Sequence, residues 1–144
     1  MTPAPSQSDP ALADGPIGRL RRHAAQRPDA PAILAGDRTV SYGDLVAQAD
    51  RVAGALVAAG VRPGDFVGLY ASRSADTVIA QAGILAAGAA FVPLDPTHAP
   101  EQLGFIARDL DLSAALVAPR HAGRAAADLP ERCARIGLDV AMAA

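Results

Sequence analysis

Apolar and polar positions along this chain follow two periods, one helical and one extended, and the switches between them mark its elements. From Ile17 to Arg27, IGRLRRHAAQR sets Ile17, Leu20 and Ala24 at helical spacing beneath a basic outer face, and Pro28 stands where it would stop the helix. PAILAGDRTVSY then gives two short apolar runs joined by Gly36 and Asp37. Gly at the first central position suits a two-residue turn of the primed kind, so the pattern predicts a hairpin from Ala32 to Val40. Ser41 reads as a helix N-cap whose hydroxyl can accept from the backbone N–H of Asp44, while Asp44 puts negative charge on the first turn. The helix that follows carries Leu45, Ala49, Val52 and Leu56 on one stripe, and Gly60 is placed to end it in a left-handed conformation.

After a turn at Pro63 and Gly64, the run Phe66 to Tyr70 has the few polar interruptions expected of a strand covered on both faces. Ser74 can cap a helix running to about Ala87, with Gly88 as its stop and a buried strand from Ala89 to Leu94 next. Pro100 opens a further helix, in which Leu103, Ile106, Ala107 and Leu110 face the core, and Ala114 to Ala118 is the following strand. A helix over Ala122 to Leu129 and a strand over Ile136 to Val140 complete the pattern. Strands alternating with helices through short connections pair in parallel by right-handed crossovers. The fold class is therefore α/β, a partly parallel sheet with flanking helices, preceded by a short hairpin.

One stretch admits a rival reading. GILAAGAAFVPLDP, Gly83 to Pro96, lies within an uncharged run from Thr77 to Leu94 whose length, about 18 residues, is the lower limit for a membrane span. Gly88 and Pro93 break that run, Gln81 sits inside it, and Asp76 and Asp95 frame it. Helix, cap, strand and exit loop account for it better than a bilayer does.

Composition narrows the function. A chain of 144 residues suits one domain with a sizeable core. A formal net charge of −2 and 3% aromatic residues argue against a nucleic-acid or anionic-membrane partner. All 13 basic residues are Arg, so no P-loop Lys, Schiff-base Lys or Lys clamp on a transferring phosphoryl group exists here. Cys133 is the sole Cys, which leaves no disulfide framework and fits a reducing cytoplasm, the expected location. The first sixteen residues, MTPAPSQSDPALADGP, lack the parts of a signal peptide and read as a disordered tail.

Few chemical constellations survive inspection. His23, His98 and His121 lie too far apart to share a helical face, and no Asp or Glu recurs beside them at metal-ligand spacing, so no metal site is expected. No G-x-S-x-G surrounds Ser41, Ser72, Ser74 or Ser113. Gly83 and Gly88 have P-loop spacing, but Ala89 and Ala90 stand where Lys and Ser or Thr are required. The turn after Tyr70 reads ASRSAD, a cap rather than a glycine-rich phosphate cradle. Asp95, just past a strand's carboxyl end, occupies a position that α/β folds use for function, yet it reads first as an acceptor for loop N–H groups between Pro93 and Pro96.

Two stretches carry a family likeness. VSYGDL, residues 40 to 45, and LAAGAAFVPLDP, residues 85 to 96, resemble the first two core motifs of nonribosomal peptide synthetase adenylation domains, within the adenylate-forming (AMP-binding) superfamily. RPDAPAI, GVRPGD and the helix from Ser74 to Ala87 resemble the family as well, so the likeness runs from about Leu20 to Ala118. It marks Ser41, Tyr42, Asp44, Leu45, Gly88, Pro93, Leu94, Asp95 and Pro96 as structural motif positions, with none catalytic. The family commonly has Tyr-Pro-Ala-Glu-Arg-Leu after the second motif, where this chain has His98, Ala99, Pro100, Glu101, Gln102 and Leu103.

The resemblance implies a parent activity: ATP- and Mg-dependent activation of an amino or related carboxylic acid as an acyl-adenylate, then transfer to a carrier-protein thiol. The family's Ser/Thr/Gly-rich loop with its Lys, its ribose-binding Asp and its second Lys have no counterpart here. The expectation is an incomplete amino-terminal segment over residues 17–144, binding no cofactor alone and inactive by itself, with the remainder of an adenylation domain or a carrier protein as partner. The alternative is a non-catalytic α/β interaction module that docks through exposed apolar surface.

Overall fold

The computed structural model describes residues 15–143, so the tail expected over residues 1–16 lies almost wholly outside them. The chain divides into two compact units, the first ending at Val46 and the second starting at Ala47.

In the first unit, α1 (Pro16–Gln26) begins one residue before the expected Ile17, because Pro at a first helical position sacrifices no hydrogen bond. Its apolar stripe is half-buried, and the Arg27 N–H closes the helix on His23 O at 2.7 Å. The hairpin joins β1 (Pro31–Ala35) to β2 (Arg38–Ser41) in antiparallel register, Ala35 opposite Arg38. Gly36 has φ 62° and Asp37 has no positive φ, the pattern of a type II′ turn. Ser41 Oγ accepts from the Asp44 N–H at 3.1 Å and so caps α2 (Tyr42–Ala58), the helix that crosses the division between the units.

The second unit is built on four parallel strands, β3 (Phe66–Tyr70), β4 (Ala90–Leu94), β5 (Ala114–Val117) and β6 (Ala134–Gly137), in the spatial order β4-β3-β5-β6. Alternation sends Val67, Leu69 and Leu116 to one face, beneath Val52 and Leu56 of α2 and Ile84 of α3 (Ala75–Ala86). Tyr70, Ala115 and Val117 go to the other face, beneath Leu103 of α4 (Pro100–Asp109) and Leu129, the residue that ends α5 (Ala122–Asp128). Each buried Leu or Ile contributes about 2 kcal/mol, so these two layers are the main source of the unit's stability.

Three helices end by one device. At the end of α3, the Gly88 N–H bonds Leu85 O at 3.0 Å and the Ala89 N–H bonds Ile84 O at 3.1 Å, while Gly88 holds φ 80°. This is a Schellman closure, and it turns the chain straight into β4. Gly60 and Val61 close α2 in the same way, and Asp111 with Leu112 closes α4, Asp111 taking the left-handed position at φ 49°.

Two expectations need correction. The strand from Ala89 to Leu94 was expected to be buried, but β4 is an edge strand on which only Leu94 is buried and Pro93 is exposed. Proline has no N–H to give a second neighbour, so an edge is where a strand containing it belongs. The last strand was expected over Ile136 to Val140. β6 instead ends at Gly137, level with the end of β5, and Leu138–Ala143 forms helix α6, with Leu138 and Ala141 buried at the i, i+3 spacing of one helical face. Near the start of β6, Arg135 donates to the carbonyls of Ala126, Leu129, Pro130 and Cys133, bracing the end of α5 and the turn after it. Among the described residues no helix is long and apolar enough to cross a membrane.

Candidate functional site

The strand order creates the site. From β3 the chain leaves through α3 toward β4 on one side, and from β5 it leaves through α5 toward β6 on the other. Loops leaving adjacent strands in opposite directions part from each other, and α/β sheets bind ligands in the opening at their carboxyl ends. Here that opening is a cavity of ≈ 320 Å³, lined by Ser72, Arg73 and Asp76 after β3, Pro119 and Arg120 after β5, and Asp139 of α6. A second hollow of ≈ 300 Å³ lies between the loops after β3 and β4, with Arg73, Asp95 and Thr97 on its wall.

A polar network stitches these loops together. The Tyr70 phenol donates to Asp128 Oδ2 at 2.8 Å, Arg124 Nε lies 3.3 Å from the same oxygen, and Arg124 donates on to His98 O at 3.0 Å. His121 stands edge-on to the Tyr70 ring and 3.2 Å from Ser72 Oγ. Tyr70 is fully buried. Burial and then its bond to Asp128 push its pKa up to about 12. The network fixes loop geometry, and its tyrosine stays neutral at ordinary pH. Burial likewise raises the pKa of the Cys133 thiol, with Arg135 opposing, so that sulfur behaves as a small apolar group.

Asp95 is engaged as expected of a loop acceptor. Its Oδ1 accepts from the Thr97 N–H at 2.9 Å and the Thr97 hydroxyl at 2.8 Å, and His98 lies 3.9 Å from Oδ2. The backbone bond from Thr97, then its hydroxyl, hold the carboxyl below the usual carboxylate range. Pro93 and Leu94 lead into this turn and Pro96, which is buried, follows it. The histidines do not converge: His23 bonds Arg27 and stacks on Tyr42, while His98 and His121 have the separate partners given above.

The other motif residues serve the chain's path. Ser41 and Asp44 form the α2 cap, Tyr42 receives His23, and Leu45 is buried. Gly88 turns α3 into β4. Sequence reasoning passed over the Tyr70–Asp128 pair because a bond spanning 58 residues leaves no local signal. It likewise singled out neither Arg73, within a turn read as a cap, nor Arg120, since only the strand order brings their two loops together.

These residues do not supply the Lys and the metal-ligand cluster that the family likeness implies for ATP and Mg. The chain offers no Lys to the phosphates. Among the described residues no group of three or more His, Cys, Asp or Glu side chains is placed to hold a metal, and both oxygens of Asp95 already have protein neighbours.

Comparison with known proteins agrees with the fold. The family model for AMP-binding enzymes matches residues 20–142. Malpibaldin synthetase of Mortierella alpina is 42% identical over 92 residues, 64% of this chain and 2% of that protein. Bacitracin synthase 1 of Bacillus licheniformis is 36% identical over 94 residues, 65% of this chain and 2% of that protein. The chain thus spans about a fiftieth of the length of these curated relatives. Among solved structures, the nonribosomal peptide synthetase FmoA3 matches with TM-score 0.80 and 29% identity, over 88% of this chain and 13% of that one. The fatty acid AMP ligase of Legionella pneumophila, 24% identical, shares the fold with TM-score 0.75, over 85% of this chain and 23% of that one. With the family model covering the parallel sheet, its helices and the hairpin before them, the chain belongs to the AMP-binding enzyme family and matches the adenylation domains of nonribosomal peptide synthetases.

Proposed function

We propose that this chain serves the ATP-dependent activation of an amino or related carboxylic acid. The acid becomes an acyl-adenylate with release of pyrophosphate, and the acyl group then passes to the thiol of a carrier protein. The chain's own share is scaffold: a capped helix, a parallel sheet and the loops at its carboxyl end, on which the remainder of an adenylation domain rests. The observation that carries this reading is the family match over residues 20–142 together with the superposition on FmoA3. The complete absence of Lys is what assigns this segment scaffold rather than chemistry.

The test is exchange of labelled pyrophosphate into ATP by the purified chain, with each proteinogenic amino acid and with simple aryl acids. The expected result is no exchange above the protein-free control. Exchange that co-purifies with the chain and depends on one acid would overturn the scaffold assignment.

A further inference from the structure

We propose that the cavity between the loops after β3 and β5 is a binding site for a phosphate monoester, gripped by Arg73 and Arg120. The cavity lies at the point where the strand order reverses, and its ≈ 320 Å³ falls at the low end of the range of small-ligand sites. One guanidinium fork satisfies a carboxylate, whereas a phosphate dianion presents three oxygens and takes two forks. Arg73, from the loop after β3, and Arg120, from the loop after β5, both line the cavity.

Between them the lining is apolar, with Ala71, Ala118, Pro119 and Leu138 offering contact to the organic part of an ester. Asp76, in the first turn of α3, offsets that helix's positive end and has a partner of its own, so the guanidinium groups and not the helix end supply the positive charge. Asp139 adds a second carboxylate to the lining. The local charge is thus balanced, and recognition depends on fork geometry and weakens with salt. None of the nine motif positions lines this cavity, whereas Ser74 and Asp76, from the helix that resembles the family, do.

The experiment is an amide chemical-shift titration of the full chain at low salt with phenyl phosphate and, separately, with inorganic phosphate. Saturable shifts confined to residues 71–76, 118–120 and 138–139 are expected. The affinity should drop about tenfold in Arg73→Gln and in Arg120→Gln, and stay unchanged in Arg132→Gln. Tighter binding of phenyl phosphate than of inorganic phosphate is expected, and equal or weaker binding of the ester would overturn the monoester assignment. Absence of saturable shifts with both probes, shifts centred elsewhere, or shifts untouched by either Gln variant in a folded protein would overturn it.

Discussion

Tyr70 and Asp128, 58 residues apart, meet through a 2.8 Å bond from a fully buried phenol to a carboxylate that also holds Arg124. The bond ties the end of β3 to the end of α5 across the sheet. Tyr70→Phe should lower stability by about 1.5–3 kcal/mol in urea unfolding, since a buried bond to a charged acceptor is lost. A cost below about 0.5 kcal/mol would mean that the phenol contributes packing alone.

The same pair sets a limit at high pH. The tyrosine pKa rises from its ordinary 10.0 to about 12 in the fold, so the folded state holds its proton more tightly than the unfolded state. That contribution is complete below about pH 10 and is lost as pH rises through about 12. Unfolding midpoints measured from about pH 8 to about 12 should therefore fall in the upper part of the range, and Tyr70→Phe should flatten the fall.

Helices α2 and α3 touch at Gly83, where an added Cβ would sit 2.5 Å from the Cβ of Val52 and 3.0 Å from Ala49 O. Gly83→Ala should cost about 1–3 kcal/mol by overpacking. Combining it with Val52→Ala should cost less than the sum of the two single changes, because the second substitution removes Val52 Cγ1, which also stands 2.5 Å away, and with it part of the collision. Strict additivity in a double-mutant cycle would show that the Val52 side chain is not what the added methyl meets.

Left-handed positions separate two further substitutions. Gly88 holds φ 80° with Pro63 Cβ 3.2 Å from where its own Cβ would be, so Gly88→Ala should destabilise by about 1–2 kcal/mol. Asp111 holds φ 49° with a side chain, so Asp111→Gly should stabilise by about 0.5 kcal/mol even though it removes the exposed partner of Arg132. Thermal unfolding of both variants checks the opposite signs.

Asp95 offers a test of loop order. Asp95→Asn keeps an acceptor for Thr97 and should lower the melting temperature less than Asp95→Ala does. The depressed carboxyl pKa contributes stability above the unfolded-state value that disappears as pH falls through the folded one, and Asp95→Asn should remove that acid dependence.

What the sequence made legible is what depends on neighbours a few residues away. Ser41, Ser74 and Gly88 act where their types predict, because caps are chemistry between residues two to four apart. Pro93 carried the signal that β4 is an edge, yet the apolar letters around it masked that signal. Beyond Gly137, the letters Leu138, Asp139 and Val140 suit a strand or a helix, and the shortness of β5 decided between them. The cavity was not legible at all. Arg73 and Arg120 stand 47 positions apart on unremarkable loops, and the order β4-β3-β5-β6 that unites them is a property of pairing rather than of any local pattern.

The proline in β4 also limits how the sheet grows. The Ala90 N–H points toward the β3 side, bonding Asp65 O at 2.9 Å, so by alternation Phe91 and Pro93 turn their backbone groups outward. A strand approaching that flank finds one N–H where an unbroken strand would show two. The β6 flank has no such gap, and Arg135, its one charged residue, is turned inward onto four carbonyls. Strand pairing with any other chain is thus disfavoured on the β4 border of the sheet by one missing hydrogen.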